Sequence, residues 1–322
     1  MIGIEAIAAV HPATAVPVAG LPELEALPEA DRRLCLELGV ETVRDAGRRP
    51  AAELAAEACV HVLRESGVDA GEVDALLLAG GRAPEYLVAS EATHVQELAG
   101  LRRAVALTVT DLGCVSSSGA LLLARALLGA NAGWMRVLVA CGSRPAGSRR
   151  FRRPVSVNGD AGVAALVSRC RRLELLDVLV ETDGRYWDLF RVEFRDRPQA
   201  EWEEACADVP AYSFGLAMES RGRFAALNRR LLERHGLDVE EVDHFVMQNI
   251  STGALRFYEQ ALGVRFARAC ADNLRRYGHL GPADVLLNLA TGLETGELRS
   301  GETVLVMNNS PAAAWSSALV RV

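Results

Sequence analysis

The sequence predicts an α/β fold of stacked layers assembled from two related half-chains. Three observations predict it. β-Branched apolar runs alternate with amphipathic helical runs along most of the 322 residues, the pattern of parallel strands covered by helices. The halves also overlay. Gly113-Cys114 and Gly278-His279 each precede a helical run and lie 165 residues apart, and Leu121-Leu122 and Leu286-Leu287 keep that offset. Val137-Leu138-Val139 returns as Val304-Leu305-Val306, and Ala165-Leu166-Val167 as Ala318-Leu319-Val320, so the matches run in order at about half the chain length. Third, Thr108–Gly142 is by itself a complete strand–turn–helix–strand unit. The boundaries that follow are residues 1–170 for the half carrying Cys114 and 171–322 for the half carrying Gln248 and His279.

In order, residues 1–10 read as a strand, followed by a lead-in punctuated by Pro12, Pro17, Pro22 and Pro28. A helix over 51–66 is closed by Gly67, a usual residue just past a helix end. Residues 73–79 form a buried strand ending at Gly80-Gly81, 89–99 a helix and 104–110 a strand. Asp111-Leu112-Gly113 makes a tight turn into the Cys114 helix, whose Leu121, Leu122, Ala124, Arg125 and Leu128 give a wide apolar face. The basic loop RRFRRP precedes 155–167, with its turn at 158–162, and charged strands and loops fill 173–206. The second half gives helices over 218–235, 250–262 and 284–295, and strands over 242–247, 303–307 and 317–322.

Half of the residues are hydrophobic and 24% charged, a globular composition. No uninterrupted apolar run reaches the roughly 20 residues of a membrane helix, and MIGIEAIAAVHPATAV has no basic leader region, so a cytoplasmic protein with no membrane partner is expected. A net charge of −7 argues against nucleic acid. All 35 basic residues are arginine, which excludes Schiff-base and P-loop lysines and leaves arginine or backbone N–H groups to hold any phosphate. The seven cysteines contain no CxxC pair and the six histidines no HExxH, so neither a disulfide framework nor a metal site is expected.

A cysteine where a strand turns into a helix meets unpaired backbone N–H groups and the positive end of the helix dipole. Both favour the thiolate. The alternative for Cys114 is a small buried apolar residue. The half-chain repeat supplies a partner: a pseudo-twofold axis relating the halves would bring the helix starts at Cys114 and His279 together.

DLGCVSSSGALLLARALL, NGDAGVAALV, VDHFVMQNIS, YGHLGPADVLLNL and AWSSALVRV, in this order, give the sequence its resemblance to the ketoacyl-ACP synthase III branch of the thiolase superfamily, over nearly its whole length. The resemblance implies the five-layered αβαβα thiolase fold, a homodimer, and a cysteine that takes the acyl group. In the family a histidine and an asparagine complete the triad and stabilise the enolate formed when malonyl-ACP loses CO₂. Cys114 matches the nucleophile; the family's histidine falls on Gln248, a later asparagine of that motif on Ser251, and the triad asparagine on His279.

That exchange alters the expected chemistry. Decarboxylative condensation needs two firm donors on the thioester oxygen. Acyl transfer to a hydroxyl, amine or carrier-protein thiol needs a base for the acceptor's proton, which His279 supplies. The pattern resembles the acyltransferase offshoot of the family in secondary, polyketide-type metabolism. Asn309, in the loop Met307–Pro311, is a candidate to accept from the His279 ring N–H. The second oxyanion-hole donor falls on Pro311, which has no N–H, so Ala312 or an asparagine amide must substitute. Arg152 matches the family's arginine for the phosphate end of CoA or of the phosphopantetheine arm, and Arg149, Arg150 and Arg153 would widen it into a docking patch for an acidic carrier protein. The family's Trp/Arg adenine motif is missing from residues 20–50, which tilts the donor towards acyl carrier protein. The segment around Val88 corresponds to one that lines the partner subunit's pocket. His244, at the start of its strand, reads as structural. A condensing enzyme with an altered triad, a thioesterase and a non-catalytic partner subunit are the alternatives.

Overall fold

A computed structural model describes residues 1–80, 83–312 and 314–322; Gly81, where one expected strand was to end, lies outside them. The chain opens with β1 (Gly3–Val10) and a ribbon of β2 (Thr14–Pro17) with β3 (Thr42–Asp45), enclosing helix α1 (Glu29–Glu37). Then come α2 (Ala51–Ser66), β4 (Ala75–Ala79), α3 (Glu91–Leu98), β5 (Val105–Val109) and α4 (Ser116–Ala130), the last entered through a 3₁₀ turn at Gly113–Val115. β6 (Arg136–Ser143), the small ribbon β7 (Phe151–Arg152) with β8 (Ser156–Val157), and β9 (Ala161–Ser168) follow. β10 (Glu174–Thr182) leads to the ribbon β11 (Phe190–Arg191) with β12 (Ala205–Cys206). The remainder is α5 (Ala217–His235), β13 (His244–Met247), α6 (Thr252–Leu262), α7 (Arg268–Tyr277), α8 (Asp284–Glu294), β14 (Thr303–Ser310) and β15 (Ala314–Arg321).

Nine strands join in the order β13-β14-β15-β10-β1-β9-β6-β4-β5. β1 meets β10 through a single residue pair, Gly3 with Glu174, so the sheet is two half-sheets hinged at that joint. α4 packs on β4 and β6 and, across its other side, on β10 and β15; α8 packs on β13 and β14 and on β1 and β9. These two helices therefore lie between the half-sheets. α2 and α3 cover the far side of one half-sheet and α5 the far side of the other, giving the five layers of the thiolase arrangement. Their sandwiched position explains why Gly113–Ala130 is apolar enough over 18 residues to pass for a membrane span.

The expectation of parallel pairing throughout needs correction. Among the described residues, the parallel strand pairs are β4 with β5, β4 with β6, and β13 with β14. β14 and β15 are joined by a tight turn, and β9, β1 and β10 follow no crossover helix, so these central pairs run antiparallel. α1 and α7 were not expected: α1 lies in the proline-rich lead-in, and α7 follows α6 with only five residues between. Residues 308–310, read as a loop, continue β14 and pair with β15.

Candidate functional site

The expected nucleophile and its partner sit at equivalent places. Cys114 follows Gly113 in the 3₁₀ turn leading into α4; His279 follows Gly278, just before the 3₁₀ turn Gly281–Ala283 leading into α8. Both glycines are required. Gly113 has φ +54°, and a Cβ there would lie 2.1 Å from Ser310 Oγ; Gly278 has φ +67°, with a Cβ 2.4 Å from the Val157 carbonyl oxygen. The central helices thus point their N-termini at one spot, and Cys114 Sγ lies 3.3 Å from His279 Nε2.

The hydrogen bonds fix the histidine's tautomer. Its Nδ1 faces two acceptors, Asp284 Oδ2 at 2.6 Å and the Asn249 carbonyl at 3.0 Å, so Nδ1 carries a proton. When the ring is neutral, Nε2 therefore presents a lone pair to the thiol. Asp284 is fully buried and satisfied as an acceptor: Oδ1 takes the Leu280 N–H at 2.8 Å, and Oδ2 takes the Asn249 N–H at 3.0 Å. The site is a line of Asp284, His279 and Cys114.

Electrostatics follow this geometry. Burial pushes the Cys114 thiol up, but the His279 charge and hydrogen bond, with Arg152 adding to them, hold it below an ordinary thiol. Burial lowers His279, yet Asp284 and then Cys114 outweigh it and raise the imidazole to about 9. Both directions favour a resting thiolate–imidazolium pair. Cys59 and Cys270 have the same burial and no such partner, and burial drives each thiol up to about 12. The backbone N–H of Cys114 lies in the first turn of its 3₁₀ segment, where N–H groups lack an intrahelical acceptor, and is the candidate oxyanion donor. The Cys114 carbonyl is held by Asn308 Nδ2 at 2.7 Å.

Other expected residues land elsewhere. Asn309 does not orient His279; its Oδ1 accepts from Gln248 Nε2 and its Nδ2 donates to Ser220 Oγ at 3.1 Å. The cause is the extension of β14, which fixes the direction of the Asn309 side chain, while Asp284 occupies the imidazole N–H. Trp315 Nε1 donates to the same Ser220 oxygen at 2.8 Å. Ser251 caps α6, its Oγ accepting from the Ala254 N–H at 3.1 Å, so the hydroxyl is engaged within the chain. The Ala312 N–H donates to Ser310 Oγ at 3.1 Å and is occupied as well. His244 pairs with Glu302 at 3.0 Å, in keeping with a structural reading.

The arginine patch is neutralised. Arg152 is buried, donates to Ser156 Oγ at 3.2 Å, lies 3.5 Å from Glu204 and covers the Phe190 ring. Arg149 pairs with Glu203, Arg150 with Asp160 and Asp45, and Arg153 with Asp31. An open cavity of about 550 Å³ is lined by Asn309, Ser220, Ile250, Leu34, Phe214 and Phe257 among others. Asp284 is the site residue that sequence reasoning missed. An acidic residue in a first helical turn ordinarily reads as a dipole partner; the available signal was a carboxylate five residues after the histidine, heading an otherwise apolar helix.

Residues 232–322, which carry His279 and Asp284, match the family model "3-Oxoacyl-[acyl-carrier-protein (ACP)] synthase III C terminal". The chain is similar to the ketoacyl-ACP synthase III family, by that model over its C-terminal part and by curated relatives over about four fifths of its length. The β-ketoacyl-ACP synthase III of Pectobacterium atrosepticum is 26% identical over 270 residues, 80% of each chain. That of Neisseria meningitidis serogroup C is 22% identical over 284 residues, covering 84% of this chain and 83% of the relative. Among solved structures, the acyltransferase ChlB3 superposes with TM-score 0.87 at 21% identity, over 100% of this chain and 97% of its own. AbyA1, a tetronic acid condensing enzyme, gives 0.83 at 20% identity over 100% of both chains. The chain thus shares the fold of these structures.

Proposed function

We propose that the protein is an acyltransferase that works through an acyl-Cys114 thioester, with His279 as its acid and base. The observation that carries this reading is the Asp284–His279–Cys114 line, which pins the proton on Nδ1 and leaves Nε2 facing the sulfur to give and take a proton.

In the first half-reaction Cys114 Sγ attacks the carbonyl carbon of an acyl thioester. The bond from that carbon to the donor's sulfur breaks, and the departing thiolate takes the proton on His279 Nε2. The Cys114 N–H meets the oxyanion. The imidazole is left neutral and its thiolate partner has become a thioester, so the charge that helped hold its proton is gone. In the second half-reaction an acceptor hydroxyl, amine or thiol loses its proton to Nε2 while its heteroatom attacks the acyl carbon. The carbon–Sγ bond breaks and the thiolate–imidazolium pair is restored. The proton that leaves with the donor is replaced by the acceptor's.

Acyl carrier protein, through its phosphopantetheine arm, is the donor we favour, with CoA as the simpler substitute. The relatives' name supports this, and so do the exposed Arg33 and Arg256, chain neighbours of Leu34 and Phe257, which line the cavity. An acidic carrier fits these two arginines better than the neutralised Arg149–Arg153 loop. The ChlB3 and AbyA1 likenesses support a place in natural-product biosynthesis. The open edge of β5, with Val105 and Leu107 exposed, and the exposed Tyr86, Leu87 and Val88 support a homodimer closed across these segments. Seven unpaired cysteines suit a reducing cytoplasm.

AbyA1's description as a condensing enzyme supports a second reading, carbon–carbon bond formation with protonated His279 as one donor. Gln248 weakens it, because the amide is a neutral donor and one of its two N–H groups is already bonded to Asn309. Intact-mass measurement after incubation with acyl-ACP or acyl-CoA tests both. The expected result is one acyl adduct on the wild type, none on Cys114→Ala, and an acyl-His279→Ala that forms slowly and does not discharge to acceptor. The absence of any adduct overturns both readings, and CO₂ release from malonyl-ACP overturns the first.

A further inference from the structure

We infer that Asn288 is a positioning residue for His279, acting from one turn further along α8 than Asp284. The inference rests on the acyl-transfer reading of the site and concerns how its imidazole is held.

Asn288 is fully buried among the apolar residues of α8, where an unpaired amide would be costly. Its Nδ2 lies 2.7 Å from the Met247 carbonyl and 2.8 Å from Asn249 Oδ1. A backbone carbonyl only accepts, so the amide's orientation is fixed by its surroundings. Its oxygen then accepts from Asn273 Nδ2 at 2.9 Å, and that nitrogen also donates to Thr291 Oγ1 at 2.9 Å. Every hydrogen-bonding group of Asn288 is engaged.

Two of these bonds grip residues 247 and 249, either side of Gln248. Asn249 is where the grip reaches the chemistry: its carbonyl is the second acceptor on His279 Nδ1, and its N–H donates to Asp284 Oδ2. Asp284 and Asn288 are four residues apart on one helix face. One holds the imidazole directly; the other holds the loop that crosses behind it. Spacing His-x₄-Asp-x₃-Asn brings both from a single rigid element, which sets the ring's angle to Sγ.

The test is the pH profile of Cys114 alkylation by iodoacetamide, which needs no knowledge of the natural acyl group, with kcat and KM for acyl transfer alongside. Asn288→Leu keeps the number and branching of side-chain heavy atoms and removes the grip. The expected profile moves up by roughly half to one pH unit, because the imidazolium is less well held against the thiolate; kcat falls about tenfold while KM for the donor changes little. Thr291→Val removes a bond to Asn273 and leaves those of Asn288 to residues 247 and 249. It is expected to lower Tm with the profile unmoved. If Asn288→Leu does not fold, Asn288→Ala carries the same readout without added bulk. A folded Asn288 variant with the wild-type profile overturns the inference, and so does a Thr291→Val profile displaced as far as that of Asn288→Leu. A wild type that never takes an acyl group would instead overturn the acyl-transfer reading, while leaving the alkylation comparison to decide the positioning role.

Discussion

Replacing Asp284 by asparagine should damage the site more than the loss of one charge suggests. All three of its contacts are donors: the Leu280 N–H on one carboxylate oxygen, and the Asn249 N–H with His279 Nδ1–H on the other. An amide has one oxygen for these two positions, so either rotamer sets an NH₂ group against a buried N–H. That costs about 1–3 kcal/mol of local hydrogen bonding, and the rotamer that keeps Leu280 bonded pushes the imidazole towards the wrong tautomer. In a serine hydrolase triad the corresponding exchange lowers kcat about 10⁴-fold. The thiolate attacks here with less help from its base, so we expect a loss of roughly 10²–10⁴ in acyl transfer.

The pH dependence follows from the two shifts. Cys114 is depressed, so the reactive thiolate is present above its pKa and lost as pH falls through it. His279 is raised to about 9, so the proton it gives the leaving thiol is present below that pH and lost above it. The rate of Cys114 acylation should therefore follow a bell with its upper limb near 9. Without the Asp284 charge, which raises the imidazole, the upper limb moves down and the bell narrows from its basic side. Stopped-flow acylation of wild type and Asp284→Asn between pH 5 and 10 measures both limbs. Turnover within about threefold of wild type and an unchanged bell would refute the assignment of Asp284.

Two further outcomes are expected. Arg33→Glu with Arg256→Glu should raise KM for acyl-ACP about tenfold or more and leave a small acyl thioester unaffected, whereas Arg149→Glu should do little to either, since Arg149 is already paired with Glu203; steady-state kinetics with both donors decide this. Leu107→Lys on the open edge of β5 should yield a monomer by light scattering, because a charge on an edge strand opposes pairing with a second copy.

Much of the site was legible in the chain. The repeat at offset 165 pairs Cys114 with His279 from the sequence alone, because duplicated units place equivalent helix starts on a common axis. Gln248 and Asn309 were read as site residues from their motifs, and they do touch each other, but the imidazole lies elsewhere. The N-terminal α1 and the ribbon of β2 with β3 were hidden by prolines that read as loop.

What the sequence determined by itself was the set of local facts: helices and strands by period, the thiol at a helix start, the exclusion of lysine chemistry, and a histidine where the family pattern has asparagine. What only the tertiary structure decided were relations between distant segments. Whether an arginine is a docking charge or half of an ion pair depends on Glu203, Glu204, Asp160 and Asp31, which come from other parts of the chain. Which group orients His279 depends on the 3₁₀ turn that folds Asp284 back under the ring, and on Asn249 arriving from the end of β13. Periodicity records which face of an element is buried; it carries no record of which buried polar groups meet, because that is set by how the layers stack.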